Sequence, residues 1–125
     1  VPPEAVRRAL EGAPGPGHLF LTNPHNPSGT LLGEEDVRAL ASELERAGGI
    51  LFSNEIYMEF VPEPERVHAC HLAPNAISLG GLTKAYGRGE LRLGWLVFHV
   101  DVEIELVVDR LLLDFREIIA AHVPP

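Results

Sequence analysis

Ten side chains in this sequence are basic, and nine of them are arginine. The exception is Lys84, set in the glycine-rich stretch 80–89. Arginine stays protonated at any ordinary pH. A lysine amine can lose its proton and attack a carbonyl, forming a Schiff base. Where positive charge alone is needed, this chain uses arginine, so its one lysine is a candidate nucleophile. Taken singly, Lys84 reads equally well as an ordinary surface lysine. Six histidines are present, but none shows metal-ligand spacing. His68 and His71 lie three apart in a loop, with Cys70 between them, and no metal site is expected there.

Three polar clusters share the chain with Lys84. The first is Asn23-Pro24-His25-Asn26-Pro27-Ser28-Gly29, and the second is Ser53-Asn54-Glu55-Ile56-Tyr57. The third runs from Leu82-Thr83-Lys84-Ala85-Tyr86-Gly87 to Glu90-Leu91-Arg92-Leu93-Gly94-Trp95. Each has a plain structural reading. Asn26 could stabilise a turn, Tyr57 could be a half-buried residue at a strand end, and Arg92 could pair with Glu90 or Glu55. Tyr86 and Trp95 are read as packing residues.

The elements that must position these clusters alternate along the chain. Pro2-Pro3 and residues 4–10 predict a short helix, since proline is tolerated in a first helical turn. Residues 18–22 form a short apolar run, read as a buried strand. Residues 34–47 are the clearest helix, with Val37, Leu40, Ala41 and Leu44 on one face. Glu34, Glu35 and Asp36 suit its positive end, and Gly48-Gly49 ends it. Residues 50–52, 76–79 and 93–100 read as further strands, and Asp101 onward reads as an apolar helix. Strands alternating with helix predict an α/β domain with a mostly parallel sheet. Ligands bind at the carboxyl ends of such strands. Each polar cluster follows a strand, so all three fall on one edge of one sheet.

The bulk properties narrow the class. At 125 residues the chain is about one domain long, with 46% hydrophobic residues and mean hydropathy +0.08. A formal charge of -8 argues against a nucleic-acid partner, which needs a basic face, and against an anionic membrane surface. No apolar run is long enough to span a bilayer. One cysteine leaves no internal disulfide framework and fits a reducing, cytoplasmic location. The chain starts at Val1 and ends in Pro124-Pro125, so it is expected to be an internal piece of a longer protein.

In this order and spacing, the three clusters resemble the class I/II family of fold-type I, pyridoxal-phosphate-dependent aminotransferases. The first is similar to the family's NPxNPTG loop and the second to its SDExY strand end. The third is similar to its SxSK segment, with an arginine eight residues after the lysine. The resemblance covers roughly residues 18–100. It implies part of a three-layer α/β/α large domain. The N-terminal part of that domain and the small C-terminal domain are missing. It also implies amino-group transfer between an amino acid and a 2-oxo acid through a Schiff base of Lys84 with pyridoxal 5'-phosphate. By the same resemblance Lys84 also moves the proton, while Asn26 and Tyr57 hold the cofactor's phenolic oxygen and Tyr57 tunes the Schiff base. Asn54 takes the position facing the pyridine nitrogen, and Arg92 clamps the phosphate. Members of the family are homodimers, so the longer parent is expected to be one.

The sequence departs from the pattern at two positions. Asn54 replaces an aspartate, and Gly81 replaces the serine or threonine three residues before the lysine. The upstream phosphate loop, the ring-stacking aromatic and the carboxylate-binding arginine have no counterpart here. This stretch alone is expected to be inactive. Two other readings stay open: different pyridoxal-phosphate chemistry, such as a carbon–sulfur lyase or decarboxylase, and a degenerate, non-catalytic copy. Asn54 and Gly81 favour the last; the retained Lys84 opposes it.

Overall fold

The structure is a computed structural model that describes residues 1–99. The elements are α1 (Pro3–Leu10), β1 (Leu19–Thr22), α2 (Glu34–Arg46), β2 (Leu51–Asn54), β3 (Ala76–Gly81) and β4 (Gly94–Phe98). Short 3-10 turns occupy Met58–Phe60, Glu63–Glu65, Ala69–His71 and Gly89–Leu91. The helix expected from Asp101 onward lies outside the described residues.

The apolar face read in α2 is the buried one. Val37, Leu40, Ala41 and Leu44 are at most 1% exposed, and burying a leucine in full contributes about 1.5–3 kcal/mol. The three acidic residues stand in its first turn. At its far end the N–H of Gly49 donates to the Leu44 carbonyl at 2.8 Å. Gly48 takes the left-handed φ of 67° that a glycine tolerates. Gly49 is fixed for another reason: a Cβ there would overlap the carbonyl oxygen of Gly17. Backbone therefore meets backbone where the chain turns from α2 into β2.

The sheet order is β1-β2-β3-β4. The first two pairings are parallel and the third is antiparallel, so the sheet is mostly parallel, as expected. Register pairs Phe20 with Phe52, Ser53 with Ser78, Asn54 with Leu79, and Gly81 with Gly94. Alternate side chains point to opposite faces. Leu19, Leu21, Leu51 and Ala76 join α2 and Val6 of α1 in one core. The other face carries Phe20, 61% exposed, stacked on Phe52 at 6.4 Å between ring centroids. Among the described residues, both helices pack on the first face only.

Two strands run further than expected. β3 continues through Gly80 and Gly81, the first two residues of the glycine-rich stretch. Their backbones pair with Trp95 and Gly94, and a ladder of main-chain bonds needs no side chain. β2 runs on to Asn54, whose backbone is flanked by Thr22 and Leu79.

Candidate functional site

The loop after β1 is closed from inside by Asn23. This residue is 1% exposed. Its Oδ1 accepts from the N–H of Leu32 at 2.8 Å and its Nδ2 donates to the Leu32 carbonyl at 3.3 Å. Its own N–H donates to the Asn54 carbonyl at 2.9 Å, tying the loop to β2. Across the loop, the N–H of His25 donates to the Thr30 carbonyl at 2.8 Å and the N–H of Gly29 to the His25 carbonyl at 2.7 Å. Side chains brace it further, with His25 Nδ1 at 2.8 Å from Ser28 Oγ and Ser28 Oγ at 2.9 Å from Thr30 Oγ1.

Asn26 sits exposed on this braced loop. Its Nδ2 donates to the hydroxyl oxygen of Tyr57 at 3.4 Å, across 31 positions of sequence. That bond is long. Both groups can also donate, so a ligand oxygen between them would receive two hydrogen bonds. Pro24, Pro27, Phe60 and Val61 wall a cavity of about 370 Å³ around the pair. Phe60 and Val61 carried no signal in the sequence, because nothing there showed that the turn after Tyr57 folds back over the loop.

Asn54 ends β2 on the same edge. Its Oδ1 accepts from the N–H of Ile56 at 3.3 Å. Lys84 and Arg92 stand in the connection between β3 and β4, which the Leu82 N–H closes by donating to the Leu93 carbonyl at 3.1 Å. Both are exposed. Neither bonds to Asn26, Asn54 or Tyr57 among the described residues. Arg92 does not pair with Glu90 or Glu55. Arg88 lies 3.8 Å from Glu90, and Glu55 is taken by His68. Arg92 adopts the left-handed region at φ 50°, unusual for a residue with a side chain. At Gly81, a Cβ would sit 3.2 Å from the Leu93 carbonyl oxygen and 3.7 Å from Ile56 Cδ1. A side chain at that position is crowded by the hairpin's own backbone.

Glu55, just past the end of β2, turns the other way and is 6% exposed. Its Oε1 accepts from Ser78 Oγ at 2.8 Å and from the N–H of Ala69 at 2.9 Å. Its Oε2 lies 2.7 Å from His68 Nδ1. Ser78 Oγ in turn accepts from the Cys70 N–H at 3.0 Å. This network joins β2, β3 and the 68–70 turn beneath the strip that carries Asn54 and Tyr57. A separate cavity of about 210 Å³ opens on this side, between His68 and Trp95. Burial pushes the Cys70 thiol above its ordinary pKa; the Ser78 hydrogen bond lowers it, and the Glu55 charge raises it. Among the described residues no three His, Cys, Asp or Glu side chains gather as a metal cage, and no helix is long and apolar enough to cross a membrane.

The edge thus carries Asn26, Asn54, Tyr57, Lys84 and Arg92, a set rich in hydrogen-bond donors and free of carboxylates. Such a set suits an anionic ligand. The sequence profile of the family "Aminotransferase class I and II" matches residues 3–119. The histidinol-phosphate aminotransferase of Haloferax volcanii is 35% identical over 86 residues, covering 69% of this chain and 24% of that protein. The aspartate aminotransferase of Thermus thermophilus, solved with maleate, superposes with a TM-score of 0.68 at 30% identity, over 78% of this chain and 25% of that one. The PLP-bound C–S lyase of Staphylococcus hominis has a TM-score of 0.67 over 79% of this chain and 27% of that one; at 20% identity it shows the fold alone. The chain spans about a quarter of the length of the curated relative above. With the family's sequence pattern running almost end to end and its fold-type I architecture in the described part, this chain belongs to the class I and II aminotransferases, a family that works with pyridoxal phosphate.

Proposed function

We propose that this chain contributes the cofactor-binding edge of an enzyme that transfers an amino group between an amino acid and a 2-oxo acid. The observation that carries the proposal is the Asn26–Tyr57 contact, which brings two donors together from loops after neighbouring parallel strands. Lys84 follows the next strand on the same edge. Pyridoxal phosphate, when bound, supplies the electron-accepting ring that the side chains of a protein lack.

Lys84 is the amine that would hold the cofactor covalently and then carry a proton to and from the substrate's α-carbon. Asn26 and Tyr57 would donate to the phenolic oxygen, and Arg92 to the phosphate. Asn54 would meet the ring nitrogen. Glu55 touches none of these groups and anchors the strip from behind. A homodimeric parent and a cytoplasmic location belong to the same reading, resting on the family resemblance and on the single cysteine. Amino transfer is preferred to lyase or decarboxylase chemistry because the named relatives at 30% identity or more are aminotransferases.

The test is direct. The purified chain is mixed with pyridoxal phosphate and reduced with borohydride, and the adduct is located by peptide mass spectrometry. The expected result is a stoichiometric adduct on Lys84, absent in Lys84→Arg. Equal labelling of Lys84 and the terminal amine would overturn the proposal.

A further inference from the structure

Asn54 has two polar groups, and the fold has already engaged one. Oδ1 accepts from the N–H of Ile56. Reversing the amide would set Nδ2 against that N–H, donor facing donor, so the network itself assigns the oxygen. With Oδ1 turned toward the Ile56 N–H, Nδ2 is the end of the amide left without a partner among the described residues. It can donate two hydrogen bonds and accept none.

The surroundings reinforce this polarity. The charged groups in the β3–β4 connection are Lys84, Arg88, Arg92 and one carboxylate, Glu90. Glu55, the adjacent carboxylate, faces the opposite side with both oxygens engaged. Glu59 is held by Arg66 at 2.9 Å, and Glu90 lies beside Arg88. Among the described residues no carboxylate has a hydrogen bond or ion pair to Asn54.

We propose that Asn54 makes this edge select an unprotonated heteroaromatic nitrogen over a cationic one. Resting on the function proposed above, the inference is that Asn54 Nδ2 donates to the lone pair of the cofactor's ring nitrogen. A protonated ring nitrogen would bring its own N–H against this donor. The bond at Asn54 is thus reversed relative to the aspartate it replaces, which accepts a hydrogen bond and favours the cation by charge.

Two ligands separate the cases: pyridoxal phosphate, and its N-methyl analogue, a permanent cation with no lone pair. Affinity of each for the chain is measured by titration, with borohydride trapping to confirm attachment at Lys84. The expected result is at least a roughly tenfold weaker affinity for the N-methyl analogue, as the loss of one good hydrogen bond implies. In Asn54→Asp, a nearly isosteric change, that preference should vanish or reverse. Ring-15N-labelled pyridoxal phosphate should give a neutral-pyridine resonance with the native chain and a pyridinium resonance with Asn54→Asp. Equal affinities for the two ligands in the native chain, or a pyridinium resonance there, would overturn the inference while leaving the proposed function standing. Failure of pyridoxal phosphate itself to attach at Lys84 would overturn both.

Discussion

Glu55→Ala should be among the most damaging single changes in the described part of the chain. Truncation strips the Ser78 hydroxyl and the Ala69 N–H of their acceptor, and both residues are at most 4% exposed. Leaving a buried donor unsatisfied costs about 1–3 kcal/mol each. His68 adds little, because its side chain is 36% exposed and water can replace the carboxylate. Glu55→Gln should be milder, at about 1–2 kcal/mol. Its carbonyl oxygen still accepts from Ser78 and Ala69, and its amide can donate to His68 Nδ1 in the other tautomer. Urea unfolding followed through the single tryptophan, Trp95, gives both values. Because Glu55 lies between Asn54 and Tyr57, trapping of pyridoxal phosphate on Lys84 should fall with the Ala variant and largely survive with Gln. A loss below about 1 kcal/mol for Ala, or equal losses for Ala and Gln, would refute this account of the network.

Four further outcomes are expected. Arg92→Gly should relieve the left-handed backbone, worth about 1 kcal/mol in unfolding experiments, while weakening cofactor binding in a titration. Gly49→Ala should be severe, since the Gly17 carbonyl cannot move aside without shifting the chain; a melting temperature equal to the parent's would contradict the close approach. Gly81→Ser should cost about 1–3 kcal/mol from crowding, read by urea midpoint, unless the new hydroxyl's contact with phosphate offsets it when cofactor is present. The folded Cys70 thiol holds its proton where an unfolded thiol has lost it. Its stabilising contribution is therefore full below the ordinary thiol range and is lost as pH rises through and above that range. Unfolding midpoints should decline more steeply with alkaline pH in the native chain than in Cys70→Ala.

Much of the site's placement was legible because it depends on local signals. The face of α2, the strand preceding each polar cluster and the shared sheet edge all follow from periodicity and turn chemistry. The inward direction of Glu55 continues the alternation of β2, whose Leu51 and Ser53 are buried. What Glu55 meets there was not legible, because His68, Ala69 and Ser78 arrive from 13 to 23 residues away. The same limit hid the Asn23 lock. Asn-Pro reads as a turn, and nothing in it shows a side chain turned inward to hold Leu32. The extent of β3 was underread for another reason. Gly80 and Gly81 look like loop residues by composition, yet a strand squeezed against Trp95 has little room for anything larger.

Neighbouring positions on the β2 exit serve opposite sides: Asn54 the proposed ligand edge, Glu55 the buried network. The arrangement therefore depends on parity. Adding or deleting one residue between Gly49 and Ser53 would exchange the two roles, burying a neutral amide and presenting a carboxylate to the ligand. Length changes between Val61 and Arg66, where the chain is mostly exposed, leave parity untouched. Insertions there should be tolerated in any length the turn can close, whereas β2 should accept changes only in pairs of residues, if at all.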